Sequence, residues 1–498
     1  MKVAHAAFIS LALAGCASVD PYAGAPIAAK LKRDDALGDC ARLLQRVDRA
    51  IETAGVRDVQ SAQVRGFPYL RVDRLTARLA PAGGSAEAND AWIDRMVALD
   101  REARAVEVAN AGQAFVSARD AAGVENCRTR LAEADRPAGG LAKAAQVPDD
   151  YSTTMRALGL YAVTKFAFTS GIRKWRAETR AVHALPLAQL PHLGDRVRYA
   201  PKPPLLLAGL DTLPLPSADA LGVPQLSPAL TEALIARHAP AIEVDTVDGN
   251  DRLGQLAWGD GGARVVADTT RPVAYARVAY TRLAGRVVAQ LVYTFWFPAR
   301  SPSGDFDRLA GALDGVIWRV TLGADLKPLV YDTIRPSGCY HVFYPTADVR
   351  ERPVPPQGES RDDDGLFVPQ RVDAPRENER QLLYIAARTH DVRRVAVVTD
   401  DPERGVPYEL RDENDLRVLP WPNESAPRGT RSAYGPDALI AGTERSERFF
   451  AWPSGIDSVG QMRQWGHHAT ALVGRRYFDD PDLFDRYFEF GVASTDPR

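Results

Sequence analysis

The sequence predicts an α+β fold, with a helical N-terminal region, a largely antiparallel β region after it, and helices again at the C-terminus. Three observations lead to this prediction. Apolar residues recur at helical spacing between about residues 30 and 190. From about residue 240 they alternate with a period of two, as in β-strands. Between these regions, residues 199–228 contain seven prolines, which excludes a regular helix there.

The N-terminal region contains segments whose apolar residues fall on one helical face. The predicted helices are residues 34–54, 88–109, 118–134 and 153–185. Asp90 is the expected N-cap of the second helix, because its short acidic side chain precedes the apolar stripe.

The last predicted helix contains the most apolar run that follows the N-terminus, residues 158–172. Thr164 and Lys165 interrupt this run, which is also shorter than the roughly 20 residues that span a bilayer. We therefore expect a buried helix here, with a kink near Ser170 and Gly171.

Two β-hairpins are predicted in the second half of the chain. Residues 273–281 and 286–297 flank a turn in which Gly285 is able to take a positive φ. Residues 316–322 and 328–334 form the second hairpin. Further short strands are predicted at 340–344, 382–387, 395–398, 407–410 and 416–419. Their short connections predict antiparallel pairing.

The remaining segments complete the predicted organisation. Residues 352–375 are expected to be a surface loop, and residues 458–475 and 481–490 to be helices. The resulting division is 1–15 as a signal peptide, 16–30 as a tether, 31–195 as a helical domain, 196–230 as a Pro-rich connection and 231–498 as the mainly β domain. The formal net charge of -2 argues against a nucleic-acid partner.

The N-terminus carries the most specific motif of the chain. Lys2 precedes an apolar stretch, residues 3–14, and the run Leu13-Ala14-Gly15-Cys16 follows. Residues 1–18 resemble the signal peptide of bacterial lipoproteins, in which this run is the lipobox. The resemblance implies cleavage before Cys16, a thioether lipid on its sulfur and further acyl chains, such as palmitate, that hold the protein on a membrane. Ala17 rather than Asp follows the cysteine, which by the family's sorting rule implies the outer membrane.

The chain has four cysteines, and this assignment limits which of them are able to pair. If Cys16 carries a lipid, Cys40, Cys127 and Cys339 remain in an oxidising compartment. Cys40 and Cys127 both lie in predicted helices, and a disulfide between them would leave Cys339 as the odd thiol.

The densest run of reactive side chains is residues 337–345. If it enters a strand, Cys339 and His341 lie two residues apart and point to the same face. Such a pair is able to form a thiolate–imidazolium couple for catalysis or two ligands of a metal ion. The further candidate metal ligands are His467 and His468, with Asp479 or Asp480 to complete the set. The alternative is structural, with Cys339 in the core and His341 bonded to a backbone carbonyl.

The sequence thus supports two functional hypotheses. The first is a lipid-anchored protein of the cell envelope with a binding or assembly role, whose partner is an envelope protein or a glycan. The alternative is an envelope hydrolase or metal-dependent enzyme that uses Cys339 and His341. The mature chain contains no complete catalytic motif, which favours the first. Catalysis, cofactor and oligomeric state stay open.

Overall fold

The computed structural model describes residues 20–81, 85–136, 140–202, 213–352, 365–401, 404–422 and 429–490. The lipobox with Cys16 lies outside the described residues. Within them, no helix is long and apolar enough to cross a membrane.

The N-terminal half is helical, as predicted, with one small hairpin. Its helices are α1 (Ala25–Leu31), α2 (Ala36–Ala54), α3 (Arg74–Arg78), α4 (Ala86–Ala111), α5 (Ala118–Asp135), α6 (Leu141–Ala144), α7 (Thr153–Leu158) and α8 (Tyr161–Ala184). The hairpin, which the sequence analysis missed, consists of β1 (Ala62–Val64) and β2 (Phe67–Val72). Part of the predicted tether is folded, because α1 buries Ile27 against the helical core.

Helices α2, α4 and α5 pack against one another, α4 and α5 contact β2 of the hairpin, and a disulfide between Cys40 and Cys127 joins α2 to α5. The N-cap of α4 is Ser85, which accepts a hydrogen bond from Ala88 N, and not Asp90. Asp90 instead lies in the first turns of the helix and pairs with Arg136.

A buried ionic network lies between these helices. The Asp100 carboxylate is fully buried and lies within 3.5 Å of three guanidinium groups, from Arg71, Arg104 and Arg128. Burial opposes ionisation of Asp100, but the three cations outweigh it and hold its pKa at about 2.

The prediction of a buried, kinked helix at residues 158–172 is wrong in two respects. The helix is interrupted at Gly159 and Leu160, where Leu160 has a φ of 48°, rather than kinked at Ser170 and Gly171. The helix that follows, α8, is largely exposed to solvent, and His183 is its one buried residue. The apolar run therefore lies on the surface, because α8 contacts the rest of the protein mainly through its C-terminal half and through the segment around residue 453.

The C-terminal half is built on a curled sheet of ten strands. The elements after α8 are β3 (Asp195–Pro201), α9 (Pro228–His238), β4 (Ala241–Thr246), β5 (Gln255–Gly259), β6 (Arg264–Asp268), β7 (Val273–Leu283), β8 (Arg286–Arg300), β9 (Gly311–Leu322), β10 (Pro328–Ile334), β11 (Val342–Pro345), β12 (Val349–Glu351), β13 (Glu379–Ile385), β14 (Val392–Thr399), β15 (Val406–Asp412), β16 (Leu419–Pro420), β17 (Thr430–Arg431), α10 (Arg448–Ala451), α11 (Leu483–Tyr487) and β18 (Phe488–Phe490). The large sheet has the order β11-β10-β9-β8-β7-β15-β3-β4-β13-β14.

Both predicted hairpins are confirmed. In the first, β7 and β8 pair antiparallel, and the two turn residues Ala284 and Gly285 both have positive φ, as a type I′ turn requires. In the second, β9 and β10 pair antiparallel, with an irregular register near Pro328. The inward side chains of these strands form the main core, which includes Tyr293, Phe295 and Phe297.

The sheet is mixed rather than purely antiparallel. Strand β15 pairs in parallel with both β7 and β3, and β13 pairs in parallel with β4. The predicted antiparallel pairing of residues 407–410 with 416–419 is therefore wrong, since residues 413–417 form a short 3-10 helix. Strand β3 begins at Asp195, the last residue of the predicted helical domain, continues into the predicted Pro-rich connection and belongs to the sheet.

The C-terminal helices are shorter than predicted. Residues 458–475 form a series of turns without a helix, and Gly460, Gly466 and Gly474 take positive φ there. In the segment 481–490 only α11 is helical, and β18 follows it and pairs with β12.

Candidate ligand-binding cavity

The predicted pair Cys339 and His341 lies in the turn between β10 and β11, not within a strand. Arg335 N and Cys339 O close this turn with a hydrogen bond of 3.0 Å, and β11 begins only at Val342. Tyr340 has a φ of 62°, which breaks the alternation of side chains. The shared-face argument for Cys339 and His341 therefore does not apply.

His341 points into the core and bonds to a carboxylate. Its Nε2 atom lies 2.7 Å from Asp332 Oδ2, and Asp332 also accepts hydrogen bonds from Arg319. The His341 ring stacks on Phe343 at 4.1 Å, while its Nδ1 atom is buried without a hydrogen-bond partner. Burial lowers the pKa of His341 to about 4 despite Asp332, so the ring is neutral at pH 7. Since Nε2 bonds to Asp332 and Nδ1 has no partner, neither ring nitrogen of His341 is hydrogen-bonded to the Cys339 thiol.

Cys339 lies in a separate apolar cluster with Tyr151, Ile456 and Ala469. Burial raises the pKa of its thiol to about 12, and the nearby Glu447 carboxylate acts in the same direction. An activated cysteine requires the opposite shift, because the thiolate is the nucleophile. The alternative of a hydrolase that uses Cys339 and His341 gains no support from these contacts.

The four candidate metal ligands do not converge. His467 Nδ1 lies 2.9 Å from Asp150 Oδ1, and its Nε2 lies 2.9 Å from the Val59 carbonyl oxygen. His468 is buried next to Phe478. Across the described ranges, no group of three or more His, Cys, Asp or Glu side chains is arranged to hold a metal ion.

The two acidic candidates are engaged elsewhere. Asp479 pairs with Arg74 at 3.1 Å, and Asp480 pairs with Arg486 at 2.8 Å. Arg74 also pairs with Asp150, so the segment around His467 is tied by ion pairs to the helical half. These contacts hold the two halves of the chain together.

A buried histidine centre that the sequence analysis did not identify lies in the loop between β13 and β14. His390 Nδ1 lies 2.9 Å from Asp314 Oδ2, and its Nε2 lies 3.3 Å from Asp251 Oδ1. The ring stacks on Phe297 at 4.1 Å. Burial alone would lower the pKa of His390, but the two carboxylates outweigh it and raise the pKa above its ordinary value. The adjacent Asp391 is not its partner and pairs with Arg335.

Asp391 instead forms an ion pair with Arg335, which is buried. Arg335 donates to Asp391 Oδ1 at 2.6 Å and to the Thr389 carbonyl oxygen at 2.7 Å. Its guanidinium carbon lies 4.6 Å from the centre of the Tyr340 ring. The turn that carries Cys339 and the loop that carries His390 are thereby joined.

A half-open cavity of about 290 Å³ lies in front of this ion pair. One wall is the C-terminal half of α8, and the opposite wall is formed by the ends of β10 and β11 and the β13–β14 loop. The lining combines aromatic rings, charged groups and hydroxyls, and its main polar and aromatic members are Trp175, Glu178, Thr333, Arg335, Tyr340 and Asp391. Trp175 and Tyr340 meet edge to face at 5.0 Å. A concave site with a few convergent polar groups on a mostly preformed wall is the usual form of a small-molecule site.

Comparisons of the chain with protein-family models, with curated proteins and with solved structures found no match. The cavity and its chemistry are therefore the basis on which its function is inferred.

Proposed function

We propose that this chain is a lipid-anchored protein of the cell envelope, and that its cavity binds a saccharide unit of an envelope glycan. The anchor is supported by the lipobox at residues 13–16. The Cys40–Cys127 disulfide supports export, because disulfides persist in oxidising compartments such as the periplasm.

The observation that carries the binding role is the composition of the cavity wall. Sugar rings present an apolar face of C–H groups, which packs on aromatic rings such as Trp175 and Tyr340. Sugar hydroxyls both donate and accept hydrogen bonds, and Glu178, Asp391 and Arg335 supply acceptors and donors on the same wall. The volume of about 290 Å³ is at the lower end of small-molecule sites, which suits one or two sugar rings.

The test of the binding role uses soluble oligosaccharides from the bacterial envelope, both amino-sugar disaccharides of the cell wall and outer-membrane core oligosaccharides. Ligand-observed NMR and calorimetry are expected to detect binding by the wild-type protein and its loss in Trp175→Ala. Trp258→Ala is the matched control, because Trp258 is also partly buried but lies outside this cavity. Absence of binding by the wild type, or an equal loss in both variants, would refute the saccharide role.

The test of the anchor is separate. Mass spectrometry of protein purified from the envelope is expected to find a diacylated thioether on Cys16 and no residue before it. Cys16→Ser is expected to move the protein out of the membrane fraction. An intact, unacylated N-terminus would refute the anchor and leave the cavity test unaffected.

A further inference from the structure

The surface around α7 and α8 exposes an unusual amount of apolar area. Seven of the fourteen large hydrophobic side chains that are exposed in the described residues lie in two short segments. Those of the first segment are Leu158, Leu160, Val163 and Phe166, each exposed by 58% or more. Those of the second are Phe449, Phe450 and Trp452. We call these seven side chains the apolar patch.

The two segments form one surface because they are in direct contact. A Cβ placed on Gly159 would lie 2.5 Å from the Cβ of Pro453, so the α7–α8 junction and the segment after α10 touch with no space between them. Two hydrogen bonds fix this contact, from Arg156 Nε to Ser454 O at 2.7 Å and from Ser152 N to Gly455 O at 2.7 Å. Exposed apolar side chains concentrated on two adjoining segments point to an interaction site.

Basic residues lie beside the apolar patch, on helix α8. Helix α8 carries five of them, Lys165, Arg173, Lys174, Arg176 and Arg180, against the single acid Glu178, although the whole chain has a net charge of -2. At 100° per residue, Val163, Phe166 and Lys174 fall on one side of the helix, and all three are exposed. An apolar face flanked by lysine and arginine is the pattern of helices that lie in the interface of an anionic bilayer.

We propose that the apolar patch and the basic residues of α8 form a docking surface for an anionic lipid bilayer. The apolar side chains enter the boundary between headgroups and acyl chains, and Arg173 and Lys174 reach the lipid phosphates. A second copy of the chain fits this surface less well, because a two-fold contact would bring the same cations of both copies together. The proposal does not rest on the lipid at Cys16.

The test uses the full chain with Cys16→Ala as the common background, so that no lipid is attached. Co-sedimentation is measured with vesicles of phosphatidylcholine and with vesicles that also contain phosphatidylglycerol. The variants are Val163→Glu/Phe166→Glu and Arg173→Ser/Lys174→Ser. The matched controls are Phe115→Glu/Leu215→Glu and Arg130→Ser/Lys143→Ser, which change exposed residues outside the apolar patch.

The background protein is expected to bind vesicles with phosphatidylglycerol more tightly than vesicles without it. The glutamate pair should abolish this preference. The serine pair should weaken binding roughly fivefold for each cation removed, since one basic residue near an anionic surface contributes about that factor. Both control pairs should bind as the background does.

A local measurement keeps the result independent of the apolar stretch at residues 3–14, which every variant shares. Amide hydrogen exchange of residues 158–166 and 448–452 is expected to slow when phosphatidylglycerol vesicles are added. Unchanged exchange there, or equal vesicle binding by the glutamate pair and the background, would overturn the proposal. So would a dimer in sedimentation velocity that the glutamate pair dissociates.

Discussion

Removal of the Cys40–Cys127 disulfide is a perturbation whose cost follows directly from the structure. The bond joins α2 to α5 across 87 residues of sequence. In the chain-entropy relation, a closed loop of this length lowers the entropy of the unfolded chain by about 15 cal/mol/K, or about 4.6 kcal/mol at 25 °C. Residual structure in the unfolded state reduces such values, so we expect Cys40→Ala/Cys127→Ala to lose about 3–4 kcal/mol of unfolding free energy.

The assay is guanidinium unfolding followed by tryptophan fluorescence, because Trp92 lies in the same core as both cysteines. The wild type in the presence of reductant should unfold at the same lower midpoint as the double variant. Cys339→Ala, which removes a thiol outside the disulfide, should keep the midpoint of the oxidised wild type. A difference of less than about 1 kcal/mol between the oxidised and reduced wild type would refute the reasoning, because it lies below the range expected for a native disulfide.

Three further predictions concern buried ionisable groups. Asp100→Asn should cost about 3–5 kcal/mol, because it leaves three buried guanidinium groups without their shared anion. Since the pKa of Asp100 falls to about 2 on folding, its stabilisation is complete above the ordinary value of 3.8 and is lost as the pH falls through 2, which acid unfolding of wild type and variant will show. In NMR the His390 ring should titrate above its ordinary pKa of 6.5. Its ion pairs with Asp251 and Asp314 therefore stabilise the folded protein fully below pH 6.5, and this stabilisation declines as the pH rises through the folded pKa. A His390 pKa below 6.5 would contradict this. Cys339, with a thiol pKa raised to about 12, should react with iodoacetamide at pH 8 far more slowly in the native than in the unfolded protein, and equal rates would contradict the raised pKa.

The parts of the fold that the sequence predicted are those with local causes. The β7–β8 hairpin follows from alternation on both sides of a turn that contains Gly285, and α5 follows from an apolar stripe between Ala118 and its end at Asp135. Both are determined within about 25 residues of sequence. The missed elements depend on distant partners, as in β3, whose strand character in a Pro-rich segment comes from pairing with β4 and β15.

Two errors have a different physical cause. Residues 458–475 have apolar side chains at helical spacing, but the three glycines with positive φ divide the segment into turns. The apolar run of α8 was predicted to be buried on composition alone, although its exposure depends on how α8 packs against the sheet.

The candidate cavity could not be predicted from the sequence, because the residues that form it are far apart in the chain. Arg335 and Asp391 are 56 residues apart, and His390 is 76 residues from Asp314. No motif joins them. The Arg335–Asp391 pair forms because the β10–β11 turn meets the β13–β14 loop, and the His390–Asp314 pair forms because the same loop meets the start of β9. The Cys339–His341 spacing was visible in the sequence, but the left-handed backbone of Tyr340 that separates the two side chains was not.

The position of β15 means that the large sheet becomes continuous only after most of the chain has been synthesised. Among the residues that the structure describes, β15 is the last in sequence of the ten strands of the large sheet, and it lies between β7 and β3. A nascent polypeptide that ends before residue 406 therefore holds two separate sheets, each with an unpaired edge. Unpaired strand edges are able to pair with strands of other chains, so we expect the incomplete protein to aggregate more readily than the complete one.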